Sequence, residues 1–455
     1  MSDHHVSPSP PTGQESKPRR VARRAARLLF ENSLFLIAGA IAALVWANVD
    51  SESYEHFIHI SLHWGDDAHE GNDAHESSTQ PEDTPEPAPE ETGSANPTKP
   101  AESHHDITLH FIVNDVLMAL FFAIAAKEVW ESMLPGGSLS NLRKASMPLI
   151  ATVGGVLGPV AVYIGWLLLA QGWDSGWESP LMRGWAVPTA TDIAFCYLIA
   201  RMIFGAGHPA IAFLLLLAIA DDAIGLIIIA AAYPKGPVEP LWLLFSCGGI
   251  ALGLLFHRVF KLVDWRWYLL GPGALSWMGF YLANLHPALG LVPIIPTMPH
   301  AHTDLGIFAR EELKRHDTLN AFEHSLKNFV ELILGLFGLV NAGVVLSAFG
   351  LGTWLVVGGL LVGKPLGIGL FAWISAKALG LRLPDNMNFR ELIVVGFVAA
   401  IGFTVALFVA EAAFHGAGES THRDSVKMGA LLSFGAAIVA FVLAKILRVQ
   451  KANQS

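Results

Sequence analysis

The sequence predicts an all-α, polytopic membrane protein, and three observations predict it. Of its 455 residues, 53% are hydrophobic and 15% are charged, against about 25% charged in a soluble domain. Apolar runs of roughly 17–25 residues, the length that crosses a bilayer as helix, recur along the chain. Three carboxylates, Asp192, Asp221 and Asp222, stand inside such runs, where an ionised side chain costs on the order of 3 kcal/mol or more. Mean hydropathy is +0.46.

Residues 1–27 form a polar, then basic tail with Lys17, Arg19, Arg20, Arg23, Arg24 and Arg27. An apolar run over 28–49 follows. It lacks a small-residue cleavage pattern and is long, so it reads as a retained first helix rather than a signal peptide. The arginines place its start in the cytoplasm. Residues 50–107 read as an external insert rich in Asp, Glu, His and Pro, with Asp-Ala-His-Glu at 67–70 and again at 73–76. Between Asp50 and Asp106, 15 Asp or Glu stand against one Lys, a balance of −14. The net charge of −10 therefore belongs to this segment, and the rest of the chain carries +4. Such a composition buries too little apolar surface to fold alone, so the insert is expected to be disordered. Its His and carboxylate groups offer at most a weak divalent-cation surface. The membrane domain is expected over 108–448, with a cytoplasmic tail at 449–455.

Beyond the first span, the expected crossings are 108–134, 147–170, 185–202, 209–232, 240–257, 265–282, 285–296, 326–348, 354–376, 391–414 and 426–448, twelve in all. Lysine and arginine distribution agrees with both termini in the cytoplasm. Expected internal ends hold Arg143 and Lys144, Arg201, Arg258 and Lys261, Arg310, Lys314 and Arg315, Lys377, Arg382 and Arg390, then Lys445, Arg448 and Lys451. External loops are poor in base: beyond the one lysine of the insert they hold Arg183 and Lys235, with Arg423 and Lys427 near the last. The two cysteines, Cys196 and Cys247, both fall in expected spans, which argues against a disulfide framework or a thiolate metal site. No motif calls for a cofactor or for nucleic acid.

The fourth span holds Pro188 before Thr189-Ala190-Thr191-Asp192. Proline removes a helix hydrogen bond, and backbone freed at membrane depth survives only against protein or a water-filled cavity. The eleventh span carries Gly396, Gly402 and Thr404 midway. Interrupted segments in corresponding halves point to a transporter's binding site. Asp192 would begin the second half of one break, with the Thr191 hydroxyl beside it. Asp221 and Asp222 are adjacent, so on a helix they point about 100° apart. Two such carboxylates can release protons and then hold a hard monovalent cation, so both ligands compete for the same oxygens. Lys364, between Gly363 and Pro365, is expected to be the counter-ion of one aspartate, because intramembrane charges usually pair. Asp115, Glu128, Glu323 and His324 are weaker candidates. Glu128 and Glu323 fall at expected cytoplasmic ends, where a solvated charge is the ordinary reading, and His286 reads as a core histidine.

These residues also carry a resemblance. The stretches 114–122 (NDVLMALFF), 184–195 (GWAVPTATDIAF), 218–230 (AIADDAIGLIIIA), 362–371 (VGKPLGIGLF) and 402–408 (GFTVALF) resemble, in that order, the NhaA-type sodium/proton antiporters. The resemblance covers roughly 108–448. It implies about twelve helices with an inverted repeat, in which broken spans four and eleven cross. It implies that Asp221 and Asp222 carry Na⁺ (or Li⁺) and protons, that Asp192 compensates dipole ends at the crossing, and that Lys364 pairs with Asp221. It further implies two protons entering for each Na⁺ leaving, electrogenically, across a bacterial inner membrane. The chain would then be a transporter and not an enzyme. Three departures stand out. The run after Glu128 reads Val129-Trp130-Glu131-Ser132, without the family's basic pair. Lys327 and Asn328 follow Glu323 and His324 where the family has a second histidine and a proline. These positions, with Glu128, line the cytoplasmic mouth implicated in pH activation. The insert replaces the short external hairpin through which family members form the homodimer that the resemblance implies.

Two other classes also suit buried aspartates. An intramembrane aspartyl protease carries a Gly-x-Gly-Asp signature, and here Ala218-Ile219-Ala220 precede Asp221. An uncoupled cation channel predicts flux without proton movement. No phosphate loop supports nucleotide-driven pumping.

Overall fold

Lipid offers no hydrogen bonds to the backbone, so a chain this apolar must satisfy its amides internally, as helix. The computed structural model describes residues 34–60, 108–140, 142–300, 317–384, 387–414 and 418–451, and among them it is helical with no strand. The basic tail, residues 61–107 and the loop holding Arg310, Lys314 and Arg315 lie outside the described residues.

The helices are α1 Leu34–Val49, α2 Ser51–Ile58, α3 Leu109–Met133, α4 Leu142–Gln171, α5 Pro180–Thr189 and α6 Ile193–Phe204. Then come α7 Pro209–Ala232, α8 Pro240–Phe260, α9 over 265–282, α10 Pro287–Thr297 and α11 Thr318–Asn341. The last are α12 Leu351–Ala378, α13 Phe389–Ala399, α14 Phe403–Ala413 and α15 Ser420–Ile446. Among the described residues six helices are long and apolar enough to cross a membrane: α3, α4, α7, α8, α12 and α15. Counting each bent pair, α5–α6 and α13–α14, as one span makes eight. Helices α1 and α10 are apolar but shorter. Helix α11, which includes Glu323, Lys327 and Glu331, is not among the helices apolar enough to cross by composition.

Several helices begin or end some residues away from the expected bounds, and two of these shifts have a clear local cause. The ninth span was expected from 326, but α11 starts at Thr318, because Asp317 caps it by accepting the Asn320 N–H at 2.8 Å. The insert was expected to be disordered from residue 50, but its first residues form α2. Asp50 accepts the Ser53 N–H at 3.0 Å. Tyr54 and Ile58, one turn apart, are buried, and the Tyr54 hydroxyl donates to the Leu339 and Val340 carbonyls at 3.0 and 2.9 Å. Two apolar residues at helical spacing anchor this segment, a signal lost in the acidic average of the whole insert.

Small residues bring helices together where lipid provides no hydrophobic drive between them. Helix α4 lies against α12: a Cβ on Gly154 would strike the Gly367 carbonyl, and one on Gly158 the Gly363 carbonyl. This contact carries Lys364, next to Gly363, into the interior, where it has no exposed surface. Helices α1 and α11 meet similarly at Gly39 and Gly335.

Both breaks read from the sequence are present. The chain bends by 46° between α5 and α6 and by 48° between α13 and α14. Pro188 closes α5, Ala190 is extended (φ −67°, ψ 148°), and α6 restarts after Asp192 (φ −91°, ψ 100°).

Candidate functional site

The two breaks touch. The Asp192 N–H donates to the Ile401 carbonyl at 2.7 Å, and the Thr191 hydroxyl donates to the Ala399 carbonyl at 3.1 Å. The Cys196 thiol faces the Val398 carbonyl at 3.0 Å. These contacts reach carbonyls at and just after the end of α13, where the helix ladder runs out, and the Val398 carbonyl also accepts the Ile401 N–H at 3.2 Å. A Cβ on Gly402 would approach the Ala190 carbonyl to 2.8 Å, so the close approach demands glycine there.

Asp192 serves both restarting helices. Its Oδ1 accepts the Phe195 N–H at 3.3 Å in the first turn of α6. Its Oδ2 accepts the Thr404 N–H at 3.2 Å in the first turn of α14, and also the Thr404 hydroxyl. A helix start carries partial positive charge, so a carboxylate between two of them is stabilised twice. The end of α5 carries the opposite partial charge, and there the cation is Lys364, whose Nζ donates to the Thr189 carbonyl. The same ammonium donates to Asp221 Oδ2 at 2.9 Å, and both side chains are almost fully enclosed. The geometry thus places Asp192 and Lys364 against helix ends of opposite charge to their own.

Asp221 and Asp222 lie midway along α7. Asp221 is buried and Asp222 half-buried. Both line a cavity of about 20 Å³ walled by apolar side chains from α3, α5, α7 and α14, with Thr189 the other polar residue. That volume admits about one water-sized guest. Asp221 turns toward Lys364, and among the described residues Asp222 is in no ion pair. Helix geometry makes this division, since neighbouring residues diverge by about 100°.

The other sequence candidates divide into two groups. At one end of α3, Lys127 Nζ lies 2.5 Å from Glu323 Oε2 and 2.6 Å from Glu131 Oε2. Glu128 is half-buried beside them, and His324 is exposed. Glu323 is therefore paired rather than simply solvated. The sequence reading missed Lys127; only the i, i+4 spacing to Glu131 hinted at it, since Glu323 lies on a distant helix. Near the other end of α3, Asp115 pairs with Lys235 at 2.6 Å and faces His286 Nδ1 at 3.6 Å. Glu411, at the end of α14, was also missed. It faces Lys427 at 2.5 Å, His110 at 3.0 Å and Arg423 at 3.3 Å. Among the described residues no cluster of three His, Cys, Asp or Glu side chains is placed to hold a metal ion.

A helical membrane protein with charged groups buried at two touching helix breaks belongs by class with the secondary transporters. The Na⁺/H⁺ antiporter 1 family model matches residues 93–445. The Na⁺/H⁺ antiporter NhaA of Jannaschia sp. is 49% identical over 443 residues, 92% of this chain and 97% of the relative. Those of Geobacter sulfurreducens and Geobacter metallireducens are 42% and 44% identical over 431 residues, 94% of this chain and 99% of each relative. The chain belongs to the Na⁺/H⁺ antiporter 1 family: it is a membrane transporter and not an enzyme.

Proposed function

We propose that this antiporter exchanges Na⁺ for protons through one shared site, the carboxylates of Asp221 and Asp222. The observation that carries the reading is the cavity: in an otherwise nearly apolar wall, its charged groups are these two side chains. Oxygen ligands suit a hard monovalent cation, and a protonated carboxylate cannot hold it as well. Binding of Na⁺ and of protons is then mutually exclusive, which is what couples the fluxes. Lys364 holds Asp221 while the ion is away, and Asp192 with Thr191 keeps the broken helices charge-compensated as they move.

The finer reading follows the family resemblance. Twelve spans form an inverted repeat with α5–α6 crossing α13–α14. Two protons enter for each Na⁺ expelled, so one net charge moves per cycle, and Li⁺ substitutes for Na⁺. The chain sits in a bacterial inner membrane with both termini in the cytoplasm and 108–448 as the transport domain. Glu128, Glu323 and His324, joined by Lys127, form its regulatory mouth. The lysine and arginine bias of the loops supports the orientation.

The test uses everted vesicles from antiporter-deficient cells, acidified inside and followed with a pH dye. Added Na⁺ is expected to restore the dye signal with the native chain and not with Asp222→Asn. Full recovery in an inserted Asp222→Asn protein would overturn the site. Uptake of radioactive Na⁺ that proceeds without any recovery of the dye signal would favour an uncoupled channel.

A further inference from the structure

The cavity beside the aspartates is one-sided. On α7 it is lined by Asp221, Asp222, Gly225, Leu226, Ile228 and Ile229, all at or beyond the pair. Before the pair, Leu214, Leu217 and Ala218 have no exposed surface, and Thr152 of α4 donates to the Leu217 carbonyl at 3.3 Å. Helix α14 contributes Val405, in its first turn, and Val409, one turn further on, and α5 contributes Ala186 and Thr189. The end of α7 and the start of α5 lie together, since the Tyr233 hydroxyl donates to the Arg183 carbonyl at 2.7 Å. The open space therefore leads from the aspartates toward the face at which α7 ends.

Gly225 stands one turn beyond Asp221 and Asp222 and shares their side of the helix. A Cβ placed there would meet nothing within 4 Å. Gly363 and Gly402 differ: a Cβ on either would run into a neighbouring backbone, Pro159 Cα at 2.6 Å and the Ala190 carbonyl at 2.8 Å. Packing explains those two glycines and does not explain Gly225. The space does. With about 20 Å³ available, a branched side chain at 225 would take the volume that an ion and its last water need.

We propose that Gly225 is the bare wall of the ion path between the aspartate pair and the membrane face at which α7 ends. The absence of a side chain keeps that path passable. The proposal rests on Asp221 and Asp222 being the ion site.

The test is a size series in the full chain, Gly225→Ala, Gly225→Val and Gly225→Leu, assayed in the everted vesicles with insertion and melting checked. Exchange is expected to survive Ala and to fall to the background of empty vesicles with Leu, while melting stays level or rises because α7 gains a better helix former. In a chain lacking Cys196 and Cys247, Gly225→Cys is expected to lose exchange when whole cells are treated with a small cationic thiosulfonate before the vesicles are prepared. Added Na⁺ should slow that loss, and the cysteine-free parent should be unaffected. An inserted Gly225→Leu protein that exchanges Na⁺ at the native rate would overturn the proposal. So would a Gly225→Cys protein untouched by the reagent, which decides the matter if the Leu variant does not insert. If Asp222→Asn keeps exchange, the underlying site fails; if it loses exchange while Gly225→Leu keeps it, only this inference fails.

Discussion

Asp192 accepts hydrogen bonds from the first turns of two helices, and Lys364 bridges a helix end and a buried carboxylate. Each of these charges has a partner, which is why they are tolerated at depth. Removing one partner is therefore expected to cost more than the pair contributes. Lys364→Ala leaves Asp221 buried without its cation and should lower stability by about 3–5 kcal/mol, read as a fall in melting temperature of the purified protein. A melting temperature equal to the native one would mean that Lys364 does not hold Asp221. Asp192→Ala removes two caps of about 1 kcal/mol each; the loss is expected to be smaller in Thr404→Val, which keeps both backbone caps and gives up only the hydroxyl bond to the carboxylate. The charges themselves were legible in the sequence, because an ionisable residue in a long apolar run is conspicuous. Lys127 was not, because it sits at the end of its run and its partner Glu323 lies on another helix.

At the scale of elements, glycine contacts set where the charges stand. Helix α12 carries Lys364 and is held against α4 through Gly154, Gly158, Gly363 and Gly367. Gly367→Val would drive a side chain into the Gly154 backbone and is expected to cost about 1–3 kcal/mol. Gly369→Val, where a Cβ meets nothing within 4 Å, should leave melting unchanged. Equal melting for both variants would mean that the α4–α12 contact is not tight. Both helix breaks could be read beforehand because Pro188 and Gly402 punctuate apolar runs. The helix at Ser51–Ile58 could not, since Tyr54 finds its partners at the end of α11, far away in sequence. The start of α11 was missed for a related reason: its first turns are polar and their capping residue, Asp317, lies outside the apolar run.

Across the whole molecule, charge clusters sit at both ends of the path around the aspartates. At one end Lys127 joins α3 to α11 through Glu131 and Glu323. Lys127→Ala leaves two carboxylates facing each other. The variant should keep exchange but lose thermal stability more at alkaline pH, where the like charges repel, than at acid pH, where protons relieve them. A loss independent of pH would mean that Lys127 acts by packing alone. The aspartate pair lies between the two ends. Its central claim, that protons and Na⁺ occupy the same carboxylates, is tested most directly by calorimetry of Na⁺ binding to the purified protein in buffers of different ionisation enthalpy. The account predicts a binding heat that varies with the buffer, because each Na⁺ displaces protons, and no such binding in Asp222→Asn. Na⁺ binding with a heat that is the same in every buffer would contradict it.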